Sequence, residues 1–312
     1  MTLRTIDAFI TTVAPDKATV VFSPEFIAIF GSVISLNKRY TKPKSQRDAF
    51  YWWLLEKRAD LKELLLLPES YNDWSDFSVY SDLLLFEQDL GYLTSAVLIF
   101  LESPGSIAEL GAFSQIESLS ERLIVVVNED HHPKRSFISL GPLRSIEKTQ
   151  KHPHCVCVIP SVKPEQLVKH VSVIIDMLEQ KRSLRRPPRS FDATNPQHQI
   201  LLVLDFINLF SVIQIKELQH LATHFGVHLK LQRLNQLLFL LEKTKLIICR
   251  HYGGNQYFLP QSFRREYIDY TSGFTSSPFN RATTKTRAWE EVKSDAYRKS
   301  VLESAIKGRE VK

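Results

Sequence analysis

The chain is poor in cysteine and contains no long apolar run. Its 312 residues include only three cysteines, too few for the disulfide framework of a secreted domain and typical of a reducing compartment. No stretch approaches the roughly 18 consecutive apolar residues that a transmembrane helix needs. The first 15 residues lack the apolar core of a signal peptide. The sequence therefore predicts a cytoplasmic protein without a membrane span.

The cysteines and histidines also lack the spacing of a metal site. Cys155 and Cys157 alternate within an apolar run, and His152 and His154 precede them. A zinc site would show two cysteines separated by two to four intervening residues and a second pair of ligands, and neither feature occurs. We therefore expect no metal.

The length and the charge distribution indicate two domains. The chain exceeds the usual single-domain range of about 100–200 residues. Residues 186–312 carry 19 basic and 11 acidic side chains, a net charge of +8, whereas residues 1–185 carry 21 and 23. The proline- and arginine-rich start of segment 186–196 predicts a linker. The basic half indicates an anionic partner, although ordinary surface charge explains the imbalance equally well.

Residues 1–185 show the pattern of an α/β domain with a Rossmann-like parallel sheet. Runs that are apolar on both faces are typical of parallel strands. Such runs alternate with segments of helical spacing, and they lie at residues 26–30, 64–67, 96–101, 122–127 and 155–159. In open parallel sheets, ligands bind where the strands deliver their carboxyl ends. The residues that follow each run are therefore the first candidates for a binding site.

Small or acidic residues follow the first two runs. Gly31 and Ser32 come directly after the first run, where a small pair lets a phosphate or ribose approach the backbone. An ordinary turn explains the same pair. Glu69 follows the second run, and it is either a pocket residue or a solvated loop residue.

The segment between the third and fourth runs carries the chemistry that the sequence suggests. Ser106 and Glu109 have the S-x-x-E spacing of a capping box, which explains both residues without any catalysis. The alternative places the Glu109 carboxylate in the first turn of a helix, where the helix dipole favours its ionised form. An ionised carboxylate that faces a cleft suits attack at, or stabilisation of, a sugar anomeric carbon.

The motif Gly105-Ser106-x-x-Glu109-Leu110-Gly111-Ala112 resembles the nucleoside 2-deoxyribosyltransferase superfamily, in which the corresponding glutamate attacks C1′. Together with Lys134-Arg135-Ser136-Phe137-Ile138 and Gly141-Pro142-Leu143-Arg144, it resembles the toxic effectors of bacterial retron anti-phage systems. Those effectors join a deoxyribosyltransferase-like domain to a DNA-binding domain. The likeness covers about residues 20–185 in motif order. It implies catalytic roles for Glu109 and Glu102, and a nucleotide-binding site formed by Gly31, Ser32, Glu69, Ser103, Gly105 and Ser106.

The resemblance also implies a substrate and a reaction. Cleavage of an N-glycosidic bond passes through an oxocarbenium-like sugar, which a carboxylate beneath C1′ stabilises. The nicotinamide of NAD is already cationic, so its departure needs no general acid. In the transferases, a C-terminal Asn/Tyr-type element completes the active site of the neighbouring subunit. No such element is recognisable in this sequence, which favours hydrolysis over transfer. NAD is thus implied as a substrate, and no cofactor is expected.

The resemblance further implies a regulated toxin of abortive infection. Such effectors are held inactive by the retron reverse transcriptase with its multicopy single-stranded DNA, an RNA–DNA hybrid, and we expect a homo-oligomer or higher assembly. One alternative is a phosphoribohydrolase of the cytokinin-activating type, but its P-G-G-x-G-T-x-x-E motif has a glycine and a threonine that are absent here. Another is a catalytically silent nucleotide-sensing regulator that binds DNA.

The C-terminal half has the pattern of a winged helix-turn-helix domain over residues 197–262. Three segments of helical spacing precede two apolar runs around Gly253-Gly254, a typical hairpin turn. A basic tail with a helix over residues 287–307 is expected to follow, within 263–312. The third helix and the wing are predicted to contact nucleic acid, although many such domains bind protein. The candidate contacts are Lys230, Gln232, Arg233, Gln236 and Arg250.

Overall fold

The structure is a computed structural model that describes residues 2–37, 39, 42–74, 79–132, 136–150, 155–184, 187–262, 266–270 and 279–310. In chain order, its strands are β1 Thr19–Val20, β2 Phe26–Phe30, β3 Leu65–Leu66, β4 Thr94–Phe100, β5 Leu123–Asn128, β6 Val156–Ile159, β7 Arg189–Ser190, β8 Ile213–Gln214, β9 Ile247–Tyr252, β10 Asn255–Pro260 and β11 Ile268–Asp269. Its α-helices are α1 Arg4–Thr12, α2 Gln46–Lys57, α3 Leu83–Tyr92, α4 Pro104–Phe113, α5 Glu117–Ser120, α6 Arg144–Gln150, α7 Val171–Ser183, α8 Pro196–Phe210, α9 Ile215–His224, α10 Leu231–Lys243, α11 Arg281–Ser294 and α12 Ala296–Glu310.

The described residues contain neither a helix suited to span a membrane nor a cluster of side chains suited to hold a metal ion. None of their helices combines the length and apolar character needed to cross a membrane. Among the same residues, no cluster of three or more histidine, cysteine, aspartate or glutamate side chains is arranged to hold a metal ion. The histidines at 152 and 154 and the basic pair at 134–135 lie outside the described residues.

The chain forms two compact units whose boundaries differ from the predicted ones. One unit comprises residues 24–186, and the other comprises residues 1–23 together with 187–312. The first 23 residues, predicted to belong to the α/β domain, pack with the C-terminal unit because Phe9 of α1 is buried against Phe206 and Phe210 of α8. Part of the predicted linker is the strand β7, which pairs with β1.

The unit of residues 24–186 is built on a five-stranded sheet in the order β3-β2-β4-β5-β6. Every pairing in this sheet is parallel, which confirms the predicted parallel sheet. Helices α2 and α7 cover one face through apolar residues such as Phe50 and Ile174, and α4 covers the other through the contact of Phe113 with Phe30. The strand order reverses between β2 and β4, so their carboxyl ends open the crevice where such sheets bind ligands.

The second unit combines the helices α8, α9 and α10 with an antiparallel sheet in the order β8-β10-β9. The predicted hairpin of β9 and β10 is confirmed, with Tyr252 opposite Asn255 across a two-residue turn. Gly253 and Gly254 both adopt positive φ angles, +56° and +74°. A tight turn with positive φ at both central residues matches the twist of the flanking strands and strongly favours glycine.

The residues predicted as a basic tail are part of this unit. In place of the single helix expected over residues 287–307, the structure has two helices: α11 ends and α12 begins around Asp295. The Arg298 side chain is buried and donates hydrogen bonds to the Glu217 carboxylate of α9 at 2.8 and 3.1 Å. Arg281 of α11 pairs with the buried Asp205 of α8 at 2.7 Å. Both helices are therefore anchored by buried ion pairs.

Two glycines of the α/β unit give opposite stability predictions. Gly31 follows β2 with a φ of +149°, and a Cβ there would lie 3.0 Å from the Arg47 Cδ and from the Phe100 Cβ. We expect Gly31→Ala to lower the free energy of unfolding by about 2 kcal/mol or more, through crowding and backbone strain. Gly111 lies inside α4, where an added Cβ would meet no atom within 4 Å beyond its chain neighbours and the adjacent helix backbone. We therefore expect Gly111→Ala to raise the free energy of unfolding by about 0.5–1 kcal/mol.

Urea unfolding of both variants beside the wild-type chain tests the pair. Equal effects of the two substitutions would contradict the proposed crowding at Gly31.

Candidate active site

Helix α4 begins with a capping box, but not the one that the sequence suggested. Ser103 is the N-cap, and its hydroxyl accepts a hydrogen bond from the Ser106 backbone N–H at 3.1 Å. The buried Ser106 hydroxyl in turn accepts from the Ser103 backbone N–H at 3.0 Å. The box therefore pairs Ser103 with Ser106, and the Glu109 carboxylate is not used to cap the helix.

The Glu109 carboxylate lies in the second turn of α4, in a partly buried position. Its Oε2 atom is buried and has no hydrogen-bond partner in the described residues. Burial raises the pKa of Glu109 to about 7, while Arg47 lowers that pKa and Glu69 raises it. The sequence placed Glu109 in the first turn, where the helix dipole acts most strongly, whereas the structure places it one turn later. Removal from water raises the pKa of Glu109 there despite the favourable charge of Arg47.

Glu102, the second predicted catalytic residue, caps another helix. Its two carboxylate oxygens accept hydrogen bonds from the backbone N–H groups of Gln46 and Arg47 at 2.8 and 3.0 Å. These are the first two residues of α2, whose N-terminal N–H groups have no partner within the helix. The contacts give Glu102 a positioning role, since they join the end of β4 to the start of α2.

Arg47 forms the electrostatic centre of the site. Its side chain is only 1% exposed, and the guanidinium donates to the two Glu69 oxygens at 2.5 and 2.8 Å. The same group donates to the Ile29 carbonyl at 2.5 Å and to the Ser32 carbonyl at 3.2 Å. Bidentate pairing of this kind fixes both partners in one geometry.

A further buried carboxyl group, that of Glu87 on α3, faces the same cluster. Glu87 is only 6% exposed. Burial raises the pKa of Glu87 to about 8, with smaller increases from Glu109 and Glu69 and a decrease from Arg47. One guanidinium thus faces three carboxyl groups, which favours retention of a proton by part of the cluster near neutral pH.

The structure brings some predicted binding residues into this site and gives others a packing role. Glu69 contributes its carboxylate, and Ser32 contributes its backbone carbonyl to Arg47. The space next to the Gly31 Cα is filled by Arg47 and Phe100, so packing explains this glycine without an approaching ligand. Gly105 is exposed in the first turn of α4.

Sequence reasoning missed Arg47 and Glu87 as site residues. Both residues lie in segments whose sequence pattern indicates only an amphipathic helix. The charged residues that face them are distant in the sequence. A buried charged residue is expected only where other charges compensate it. The only usable signal was the position of Arg47 at the start of the helix that follows the first strand of the parallel sheet. An arginine in such a position is common, so the signal is weak.

A comparison with protein families decides the family. Residues 43–249 match the model of a family described as STM3845 retron effector protein. The chain belongs to the STM3845 retron effector family.

Two curated relatives of this retron effector from Escherichia coli carry related names. The retron Ec86 ribosyltransferase/DNA-binding protein is 44% identical over 66 residues, which cover 21% of this chain and 22% of the relative. The retron Ec73 ribosyltransferase/DNA-binding protein is 37% identical over 94 residues, which cover 30% and 27%. The matched segments thus span between a fifth and a third of each protein.

The second unit of the effector presents most, but not all, of the predicted nucleic-acid contacts on its surface. Lys230 and Gln232 are exposed at the start of α10, and Arg233 and Arg250 are half-buried. Gln236 is buried and its side-chain oxygen accepts a hydrogen bond from Arg233. The predicted contact at Gln236 therefore lies inside the unit, because α10 turns this position towards the core.

Proposed function

We propose that this retron effector is a toxin whose α/β unit hydrolyses the N-glycosidic bond of a nucleotide, with NAD as the substrate. One observation carries the proposal: the Glu109 carboxylate at the ligand-binding edge of the sheet is free of the helix cap, and its Oε2 has no partner in the described residues. A buried carboxylate with an unused oxygen suits an electropositive reaction centre such as C1′.

In the proposed reaction, Glu109 stabilises the positive charge that develops on the ribose as the base leaves. Water then completes the hydrolysis at C1′. With a pKa of about 7, a useful fraction of Glu109 is ionised at neutral pH. Glu102 and Ser103 act as positioning residues in this proposal, because they hold the helices that carry Arg47 and Glu109. The names of the two relatives, which include ribosyltransferase, support glycosidic chemistry of this class.

A substrate panel tests the reaction class. We expect the purified chain to release nicotinamide from NAD faster than it releases a base from neutral deoxynucleosides, because only the nicotinamide leaves without protonation. Chromatographic quantification of the free bases measures both rates. Faster cleavage of the neutral deoxynucleosides would overturn the assignment of NAD, and release of free bases from nucleoside monophosphates would favour a phosphoribohydrolase reaction instead.

We further propose that the unit built from α8, α9, α10 and the β9–β10 hairpin is a winged helix that binds nucleic acid. The exposed Lys230 and the wing residue Arg250 are the proposed phosphate contacts. In the retron, its partner would be the multicopy single-stranded DNA with the reverse transcriptase, which hold the toxin inactive in a higher assembly. Co-expression of both partners should then suppress the toxicity of the chain.

Salt dependence tests the nucleic-acid contact. Lys230→Ala and Arg250→Ala should each reduce the slope of log affinity against log salt by about one unit on a DNA hairpin with a single-stranded tail. Lys62→Ala, an exposed position in the α/β unit, is the control with the same loss of charge, and it should leave the slope unchanged. A wild-type affinity that does not depend on salt would favour a partner that is protein alone.

The second candidate function is a nucleotide sensor without catalysis. It is favoured by the raised pKa of Glu109, since a protonated carboxyl group binds a ligand by hydrogen bonding. Binding of NAD without any nicotinamide release over a range of pH would support the sensor and contradict the hydrolase.

A further inference from the structure

A cavity of about 480 Å³ lies in the second unit, between the end of α8 and one face of α11. Its lining residues are Ser211, Ala282, Lys285, Thr286 and Trp289. The four residues from α11 are three or four positions apart along the helix or directly adjacent, so they share one face. The volume is within the range of sites for small ligands. The proposed cleavage at Glu109 does not use this cavity, which belongs to the other unit.

Ser211 in the wall of this cavity holds a backbone conformation that serine rarely adopts. Its φ and ψ angles are +67° and −48°, and the Val212 N–H donates across it to the Phe210 carbonyl at 2.8 Å. These values describe a γ-turn of the strained type with positive φ. Strained residues of this kind persist where the surrounding structure holds them, and they cluster at binding and active sites.

The Ser211 side chain is also buried without a hydrogen-bond partner. The residue is only 1% exposed, and its hydroxyl oxygen has no partner in the part of the chain that the structure describes. Most buried side-chain polar atoms of folded proteins are hydrogen-bonded, because an unpaired hydroxyl is costly to bury. Since Ser211 lines the cavity, a ligand bound there is in position to supply the missing partner.

A cation and an aromatic ring lie one helical turn apart in the same wall. Lys285 donates to the Asn208 side-chain oxygen at 3.5 Å. Burial lowers the pKa of Lys285, a cost to its charged form that a bound anion would offset. Trp289 is half-buried, and the Lys293 ammonium lies 5.5 Å from its ring centroid. A cation near the end of α8 also suits the dipole of that helix, but this role leaves the indole and the Ser211 hydroxyl unexplained.

These groups match the parts of an unpaired nucleotide. An indole ring stacks on any base, because every base has an aromatic face. A lysine ammonium pairs with a phosphate as a point charge, and a hydroxyl forms hydrogen bonds with a sugar or a base edge. Residues 186–312 carry a net charge of +8, which favours a strand with several phosphates over a free mononucleotide.

We propose that this cavity captures an unpaired nucleotide of single-stranded DNA, with the base against Trp289, the phosphate at Lys285 and a hydrogen bond from the nucleotide to Ser211. This inference rests on the proposed nucleic-acid binding by the second unit, and it adds a contact that Lys230 and Arg250 do not make. Phosphate contacts carry no information about the bases. A stacking site gives the unit a preference for unpaired nucleotides over duplex.

The direct experiment is fluorine NMR of the full chain labelled with fluorotryptophan. Trp289 is the only tryptophan after position 74, and its resonance is assigned by its loss in Trp289→Phe. A strand of eight deoxyadenosines should shift this resonance. A strand of eight abasic sugar phosphates has the same charge, and it should bind about 10-fold more weakly and leave the resonance in place. Fluorescence anisotropy of end-labelled strands gives the affinities.

Substitutions in α11 separate the stacking from the phosphate contact. Trp289→Ala should weaken binding of the deoxyadenosine strand by about 5-fold or more, and Trp289→Phe should restore part of the affinity. Lys285→Gln should reduce the slope of log affinity against log salt by about 0.7, because one phosphate contact is lost. Arg287→Gln is the control, since this exposed residue lies about 200° around the helix from Lys285. It should leave the affinity and the slope unchanged.

The Ser211 hydroxyl gives a prediction that a merely structural role would not. Ser211→Ala should weaken binding of the deoxyadenosine strand by about 2- to 10-fold, because it removes one hydrogen bond to the ligand. The same change should not lower the urea midpoint, since this hydroxyl has no hydrogen bond to lose among the described residues. A lowered midpoint with unchanged affinity would contradict the ligand contact at Ser211.

The outcomes separate this inference from the proposed winged-helix contact. Binding that depends on Lys230 and Arg250 but leaves the Trp289 resonance in place would overturn the inference and support the winged helix. A shifted Trp289 resonance, with an affinity insensitive to Lys230 and Arg250, would do the reverse. A larger shift with deoxyadenosine monophosphate than with the strand, or no shift with either, would also overturn the inference. If Trp289→Ala does not fold, Trp289→Phe and Lys285→Gln still decide the result.

Discussion

A Glu109→Gln chain is expected to fold like the wild type and to lose at least about 10²-fold of the rate of N-glycosidic cleavage. The carboxylate stabilises charge that exists mainly in the transition state, and the neutral amide of glutamine cannot replace it. The fold should tolerate the change, because burial already disfavours the ionised form of Glu109 and raises its pKa to about 7. Above that pH, the variant should unfold at an equal or higher denaturant concentration than the wild type.

The sign of this stability change follows from linkage. A carboxyl group whose pKa is raised by folding contributes most stability below its unfolded pKa, and this contribution is lost as the pH rises through the folded value. Initial rates of nicotinamide release, with urea midpoints at pH values on both sides of 7, measure the two effects. Glu117→Gln, an exposed change in the next helix, is the control and should alter neither. Full activity of a folded Glu109→Gln chain would refute the catalytic assignment.

Loss of the buried Arg298 side chain is expected to lower the free energy of unfolding of the second unit by about 3–5 kcal/mol. The Arg298 and Glu217 side chains are 2% and 3% exposed, and Arg298→Ala would leave the Glu217 charge buried without its cationic partner. Glu217 also accepts hydrogen bonds from the backbone N–H groups of Leu3 and Gln214. The change should therefore weaken the attachment of the chain's start as well as that of α12.

Urea unfolding followed by circular dichroism measures this loss. Arg287→Ala on α11 removes an exposed side chain of the same charge, and it should change the free energy of unfolding by less than about 0.5 kcal/mol. If the residues after 262 were a basic tail with a charged surface helix, as the sequence suggested, both substitutions would have equally small effects.

The sequence predicted the parallel sheet and the hairpin well because their signals are local. Strands such as β4 and β5 are buried on both faces, and this burial requires continuous apolar runs that are visible in the sequence. The Gly253-Gly254 turn needs positive φ at both positions, which glycine alone adopts readily.

The parts that the sequence did not predict depend on contacts between distant segments. The start of α4 was misplaced because both Ser103 and Ser106 fit an N-cap, and only the structure shows which serine caps the helix. Arg47 and Glu87 become site residues only through the packing of α2 and α3 around the sheet. Likewise, the charged residues of α11 and α12 suggested a surface helix, while Arg298 is buried by its pairing with Glu217.

We propose that this chain cleaves the bond between nicotinamide and ribose with Glu109. The most direct measurement incubates the purified wild-type chain and the Glu109→Gln variant with NAD in isotope-labelled water, followed by mass spectrometry of the products. We expect nicotinamide and ADP-ribose in equal amounts from the wild type, with an oxygen from the labelled water at C1′ of the ADP-ribose, and unchanged NAD with the variant. Intact NAD after incubation with the folded wild-type chain, or equal cleavage by both proteins, would contradict it.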